Sequence, residues 1–318
     1  MSAAGRAESD LARLVAGMRP ELQGGTYVFC TLADGALPAG VAPLATFREA
    51  EGVTAVLRAE EAQAHGLAGV FEAAWITLNA PQSRNALSGP IIEGLDAHLR
   101  AAMADDAVRA VVLTGSGPAF CAGADLKSGG GQAAEGGGGR NPFIEILRLI
   151  WDGPKPVIAA VNGHAFGGGV GLAAVADIAI AVDSAKFAFS EVRIGVIPAM
   201  ISVVVLPKIG VQNAMRLFLT GETFTAAAAR EYGLVHKVVP AAELTGTVQA
   251  EIDAIALGGP GAVREAKRLV RTIPHLSMDD GFAYAQEKIA ALFSSAEAAE
   301  GMSAFAGKRK PAWAEDET

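Results

Sequence analysis

Cysteine is nearly absent. Cys30 and Cys121 are the two in 318 residues, and neither belongs to a CxxC pair or a Cys/His cluster. That argues against a disulfide framework and a structural zinc site. Basic charge is also short: 26 Lys and Arg stand against 34 Asp and Glu, a formal net charge of −8. A general nucleic-acid surface needs a basic face, so no nucleic-acid partner is expected, although a local basic pocket for a phosphorylated ligand stays compatible. The opening MSAAGRAESD lacks the basic-then-apolar pattern of a secretory signal. No long apolar run is unbroken: the most apolar stretch, Pro156 to Val182, is interrupted by Asn162, His164, Asp177 and several glycines. It reads as buried core, not as a membrane span. The expectation is a cytoplasmic protein with no membrane partner.

Apolar residues are plentiful, at 51% against 19% charged, enough for a sizeable core. From about residue 75, short apolar runs alternate with helical stretches. WITLN (75–79), VRAVVLTG (108–115), VIAAV (157–161) and IAIAV (178–182) read as strands. Gly89–Met103, FIEILRLIW (143–151) and the segment opening at the glycines of GHAFGGGVGLAAVAD (163–177) read as helices. This order predicts an α/β fold of repeated ββα or βαβ units with buried strands. After about residue 200 the strand signals fade. Val203–Phe218, Ala226–Tyr232, Glu243–Leu257, Ala262–Thr272 and Met278–Phe293 read as a C-terminal helical region for capping or assembly. The expected boundaries are 1–68, 69–200 and 201–318, the last two belonging to one domain.

The first 68 residues have a different character. A helix (Leu11–Met18), a strand (YVFCTL, 27–32), a Pro/Gly turn, a strand (VTAVLRA, 53–59) and a helix opening at Glu60 make a small α+β pattern. TYVFCTLADG, PLATFREAEGVTAVL and EEAQAHGL resemble the first half of an ACT-like unit; the second half of that pattern is missing. The extension is read either as regulatory or as a structural addition. Ser128–Gly139, SGGGQAAEGGGG, is a flexible segment by composition, either a surface linker or a mobile lid.

Glycine weakens a helix by roughly 1 kcal/mol relative to alanine, so three in a row at a helix start need a reason. Two segments supply one: PAFCAGADLK (118–127) and KPVIAAVNGHAFGGG (155–169). Each is a strand followed by a loop of small residues, whose bare backbone admits close approach. Two N–H groups converging on one oxygen make an oxyanion hole. A helix opening at Gly168 or Gly169 adds its dipole there.

AFCAGADLK, KPVIAAVNGHAFGGG, FSEVRIGVIP and EGMSAFAGKRKPAW, in that order between about residues 75 and 313, resemble the enoyl-CoA hydratase/isomerase (crotonase) superfamily. The resemblance implies a crotonase-like spiral of ββα units. It assigns the oxyanion donors to the N–H groups of Ala124 and Gly168, holding the thioester oxygen of an acyl-CoA. It places Arg84, Ala86, Ala122, Asp125, Leu126, Lys127, Phe305 and Lys308 along the CoA. It also implies a homotrimer or a dimer of trimers, with no cofactor beyond the CoA of the substrate. Arg84 is otherwise a solvated loop charge.

Family hydratases commonly carry two glutamates. Here the second position is Glu191, but the first is Gly171, which has no side chain to move a proton. Glu191 is therefore the candidate acid/base; its alternative reading is a surface glutamate in a turn. Asp177 falls at a helix end and reads as structural, His164 as a packed loop residue, Cys121 as a small buried one. Arg193 is a candidate contact for a carboxylated acyl group. Three readings stay open: a hydratase using Glu191 and an ordered water, which GGGVGL and SEVRIGVIPAMIS favour through their resemblance to a methylglutaconyl-CoA hydratase-like branch; a Δ3,Δ2-enoyl-CoA isomerase, whose proton shuttle needs one carboxylate; and a CoA-binding protein with little catalysis. Fatty-acid or branched-chain acid breakdown is the implied setting.

Overall fold

The computed structural model describes residues 27–32, 37–38, 40–43, 45–49, 52–58, 61, 64–65, 73–126 and 141–314. The chain divides into two compact units, Met1–Gly66 and Leu67–Thr318. In the first, β1 (Tyr27–Leu32), β2 (Ala45–Glu49) and β3 (Gly52–Arg58) form an antiparallel sheet in the order β1-β3-β2, with Tyr27 opposite Arg58. The sequence pattern does not reveal β2, which is only five residues long and gains its ladder from β3. The expected helix at Leu11–Met18 lies outside the described residues, as do Lys127 and Ser128–Gly139.

The second unit is built from two sheets. The larger runs β12-β9-β7-β5-β4, all parallel, from β4 (Ala73–Leu78), β5 (Ala110–Gly115), β7 (Val157–Val161), β9 (Ile178–Val182) and β12 (Lys237–Val239). Strands β5, β7 and β9 are apolar almost throughout and nearly all buried, as expected of a parallel sheet covered on both faces. The smaller sheet runs β11-β10-β8-β6, from β6 (Ala119–Cys121), β8 (His164–Phe166), β10 (Lys186–Ala188) and β11 (Thr223–Thr225). Each of β5, β7 and β9 turns within a few residues into the next strand of the smaller sheet. A helix follows each pair: α2 (Pro142–Asp152) after β6, α3 (Gly168–Val175) after β8, α4 (Ala199–Thr220) after β10. The repeat is thus ββα. Helix α1 (Gly89–Ala104) joins β4 to β5.

Strands β11 and β12 correct the expectation that strands end near residue 200. Each has three residues, too few to show a period, and each forms by pairing with a sheet edge already present. The helices α5 (Ala226–Glu231), α6 (Leu244–Ala256), α7 (Pro260–Thr272), α8 (Met278–Phe293) and α9 (Ala296–Ala306) complete the unit. Helix α4 is the one helix among the described residues long and apolar enough to cross a bilayer. Its backbone breaks at Gly210 (φ 71°, ψ 164°), three residues after Pro207. At about 1.5 Å per residue neither half spans a hydrocarbon core of about 30 Å.

Helix α7 is pinned to the core through Asp177, just past the end of α3. The Asp177 carboxylate accepts from Val157 N–H at 2.8 Å, from Lys267 Nζ at 2.9 Å and from the Arg271 guanidinium. Lys267, its side chain only 6% exposed, also donates to the carbonyls of Ile150 and Lys155. Arg271 reaches the Val175 carbonyl and lies 3.8 Å from the Trp151 ring centroid. Cations thus meet the carbonyl ends of α2 and α3, where the helix dipole favours them. Removing one partner from a buried ion pair costs about 3–5 kcal/mol. Asp177 neutralises two cations, whereas loss of Lys267 leaves Asp177 still paired with Arg271. Asp177→Asn is therefore expected to lower the urea midpoint further than Lys267→Met; equal midpoints would contradict this account.

Candidate active site

Strands β6, β8 and β10 are adjacent and parallel, so their C-terminal ends open on one side. Crevices outside the carboxyl ends of parallel strands are where α/β folds place ligands. From these three ends come Ala122–Ala124, Gly167–Gly168 and the short 3-10 turn Ser190–Ile194.

The first loop lies along residues 84–87. Ala122 N–H donates to the Arg84 carbonyl at 3.0 Å, and Leu87 N–H donates to the Gly123 carbonyl at 2.8 Å. A trans peptide points its C=O and N–H in opposite directions. With the Gly123 carbonyl committed to Leu87, the Ala124 N–H points away from it, and Ala124 is exposed. Gly123 has φ +87°, and a Cβ there would stand 2.7 Å from the Phe166 carbonyl oxygen and 3.3 Å from Gly168 N. Only glycine satisfies both the dihedral and the approach.

The second loop turns at Gly167, with φ 49° and ψ −117°, into α3. Gly167 N–H donates to the Ala188 carbonyl at 2.9 Å, and the Gly167 carbonyl accepts from Gly171 N–H at 3.1 Å. The Gly168 N–H, in the same peptide unit as that carbonyl, points the other way, out of the helix start. First-turn N–H groups have no intrahelical acceptor and carry the positive end of the dipole. A Cβ on Gly168 would meet Leu87 Cδ1 at 2.6 Å.

Glu191 stands on the third end. A Cβ placed on Gly167 would be 3.0 Å from Glu191 Oε1. Glu191 Oε2 is buried and has no hydrogen-bond partner. Burial pushes the carboxyl pKa up, opposed by a smaller backbone hydrogen bond. A buried carboxylate oxygen without a partner costs stability, and such a carboxyl is placed to take or give a proton. The three strand ends thus gather two outward N–H groups from separate loops and one proton-accepting carboxylate.

A side chain at 171 has no room. Gly171 is buried on α3, and a Cβ there would overlap the Ile201 Cγ2 methyl of α4. The sequence pattern shows that the glutamate is missing; only the packing shows that Ile201 fills its place.

The remaining candidates fall in different places. Ala86 is buried, Ala122 half-buried and Asp125 half-buried, beside the first loop; Leu126 is 61% exposed at its end. Arg84 is exposed at φ 54°. Phe305, 88% exposed, and Lys308, on the turn closing α9, lie on the surface outside these loops. Lys127 lies outside the described residues. Arg193, the candidate contact for a carboxylated acyl group, has its Nη2 3.5 Å from the Thr220 carbonyl at the end of α4. A guanidinium there caps a helix. His164 sits on β8 and its Nδ1 accepts from Lys186 N–H at 3.2 Å. The buried Cys121 thiol is pushed up to about 12 by burial, which leaves almost no thiolate. Asp183 holds the turn after β9, donating N–H to the Val239 carbonyl. Sequence reasoning missed Asn85, the one buried polar residue among those described; its only signal is an asparagine in a loop.

A fold of ββα repeats with two close backbone loops and one half-buried carboxylate at neighbouring strand ends has the form of an α/β enzyme. The comparisons agree. The enoyl-CoA hydratase/isomerase family profile matches residues 54–316, and the chain belongs to that family. An ACT domain profile matches residues 6–74. A protein of Rhizobium meliloti named as a probable enoyl-CoA hydratase is 39% identical over 236 residues, 74% of this chain and 91% of its own. The carnitinyl-CoA dehydratase of Proteus mirabilis is 37% identical over 216 residues, 66% of this chain and 82% of its own. The solved enoyl-CoA hydratase of Bacillus anthracis superposes with a TM-score of 0.71 at 34% identity, covering 76% of this chain and 96% of that one.

The contact between Gly171 and Ile201 is testable. Alanine for a helical glycine ordinarily gains about 1 kcal/mol, but overpacking here is expected to turn that into a loss of about 1–3 kcal/mol. In a thermal-melting double-mutant cycle, Gly171→Ala with Ile201→Ala is expected to be more stable than the two single effects summed. Additive effects would remove Ile201 as the obstacle.

Proposed function

We propose that this chain adds water across the 2,3 double bond of an enoyl-CoA thioester, with Glu191 as the single acid/base and the N–H groups of Ala124 and Gly168 as the donors to the thioester oxygen. The observation that carries the reading is the convergence, on three neighbouring strand ends, of two outward amides and one carboxylate whose buried Oε2 has no hydrogen-bond partner. Family membership supports it, as does the naming of several relatives as enoyl-CoA hydratases.

The thioester carbonyl accepts from both amides. The Glu191 carboxylate takes a proton from water, whose oxygen bonds to C3. Electrons move through C2 onto the thioester oxygen, and the enolate is held by the amides and the helix start. Glu191 returns the proton to C2 and is ready again. Atoms balance as one water gained. The reaction requires no metal or redox group, and the CoA arrives with the substrate. Small loop residues such as Ala86 and Ala122 leave room for the CoA, with Arg84 and Lys308 as its polar contacts.

One observation favours a second reading. Gly171 and Ile201 leave no place for a carboxylate at position 171, and a Δ3,Δ2-enoyl-CoA isomerase needs only one. Glu191 would then take a proton from C2 of a 3-enoyl-CoA and return it to C4, with no water gained.

We also propose that copies of the chain assemble as a trimer or a pair of trimers. Val203, Val211 and Leu219 on α4, and Phe282 and Phe293 on α8, are each more than 60% exposed, and Met215 on α4 is 56% exposed. Exposed apolar area of this extent favours burial between copies. Light scattering giving a trimer or hexamer mass is the expected result; a monomer would refute it.

Liquid chromatography, which separates isomers of equal mass, coupled to mass spectrometry tests the chemistry in separate incubations with a 2-enoyl-CoA, a 3-enoyl-CoA and 3-methylglutaconyl-CoA. Gain of one water, lost in Glu191→Gln, is expected. Conversion of the 3-enoyl to the 2-enoyl isomer without water would establish the isomerase, and no change in any substrate would leave a binding role. The pH dependence follows from the raised carboxyl pKa. Glu191 acts as a base only when ionised, so kcat/KM is expected to fall as pH drops through a value above the ordinary carboxylate range near 4.3. An acid limb at or below that range would contradict the assignment.

A further inference from the structure

Asn85 has no side chain in the reacting gap, yet it is 0% exposed. Its amide is fully used. Nδ2 donates to the carbonyls of Ser116 at 2.9 Å, Ala119 at 2.8 Å and Phe120 at 3.3 Å. Oδ1 accepts from Ala80 N–H at 2.8 Å and lies 3.4 Å from Ser116 Oγ. The Ala119 and Phe120 carbonyls belong to β6, whose pairing with β8 shifts register between Ala119 and Cys121. A bulge strips carbonyls of their regular partners, and the Asn85 amide supplies the replacement. Three residues further on lies the Ala122–Ala124 loop.

The backbone of residues 84–87 runs beside that loop and makes both of the hydrogen bonds that set its direction, Ala122 N–H to Arg84 O and Leu87 N–H to Gly123 O. Arg84 and Asn85 are consecutive left-handed residues, at φ 54° and 57°. Strained backbone persists only where its surroundings impose it, and here the imposing group is the Asn85 side chain, tied at both ends to the 80–88 turn and to β6.

We infer that Asn85 is a positioning residue: it locks the β6 bulge and the 84–87 segment against each other, and so aims the Ala124 N–H into the reacting gap. The inference rests on the reading of Ala124 N–H as a donor to the thioester oxygen.

The test uses two variants of the full chain. Asn85→Asp keeps the shape and Oδ1 but replaces the donor facing the carbonyls with an acceptor. Asn85→Gly keeps the positive φ and removes every side-chain bond. Thermal melting identifies which is folded. The readout is the absorption of a saturating cinnamoyl-type CoA thioester, which moves to the red when donors polarise its carbonyl; a reduced folded fraction does not alter that shift per bound ligand. In the folded variants the red shift is expected to shrink, and kcat for the enoyl-CoA to fall about 10- to 100-fold with KM changed less than about threefold, the scale of a misplaced catalytic donor. A wild-type red shift that persists in full in a folded variant, with kcat unchanged, overturns the inference alone. No red shift in the wild-type protein overturns the donor reading and this inference with it.

Discussion

The close approach of two backbone loops governs this site. Gly123 and Gly168 sit nearly in contact because β6 and β8 are neighbours in one sheet; a side chain at Gly123 would press on the second loop, and one at Gly168 would strike Leu87. Peptide planarity then does the aiming. Once the Gly123 carbonyl is taken by Leu87 and the Gly167 carbonyl by Gly171, the following N–H groups have one direction left to point. Supporting glycines extend the constraint: a Cβ on Gly115 would come within 2.5 Å of the Ala119 and Phe120 carbonyls. Under the proposed mechanism these fixed amides are the donors, and electrostatic preorganisation calls for such rigidity.

Such an arrangement is costly to stability, and the rest of the unit offsets it. Helix α3 is short and opens on glycines, and Glu191, with its buried Oε2 unpartnered, stands against Gly167 at the helix start. Its far end is held by ionic contacts: Arg271 reaches the Val175 carbonyl and Lys208 Nζ lies 3.4 Å from the Ala176 carbonyl, while Asp177 ties α7 to the same point. Positive charge thus stabilises the negative end of a helix whose positive end lies at the proposed site. Destabilised chemistry at one end and reinforced packing at the other fit the usual trade between stability and activity.

The missing glutamate at 171 and the presence of Ile201 are two sides of one packing decision. Ile201 belongs to α4, the helix that leaves β10 after Glu191. The chain that delivers the remaining carboxylate therefore also closes the space a second one would need. Two family profiles meet on this chain, one at residues 6–74 and one at 54–316, so a small antiparallel sheet precedes the ββα unit.

Much of this was legible in sequence. VIAAV and IAIAV are strands at the residues read, since runs this apolar have no stable alternative to a buried parallel sheet, and the FIEILRLIW periodicity marks α2. The AFCAGADLK and GHAFGGG segments announced close backbone approach, because clustered glycine is unfavourable without it, and the FSEVRIG motif singled out Glu191. Other features carried no local signal. The three-residue strands β10, β11 and β12 form only on an edge that another strand presents. Asn85 looks like any loop asparagine until three carbonyls surround it, and the filling of the space at 171 depends on a residue thirty positions away. Local composition determined which segments would be strand, helix or bare loop, because those preferences act through near neighbours. Which strand ends lie side by side, which amides point outward and which carboxylate stands unpartnered were decided only in the tertiary structure, because each depends on hydrogen bonds and contacts between segments distant in the chain.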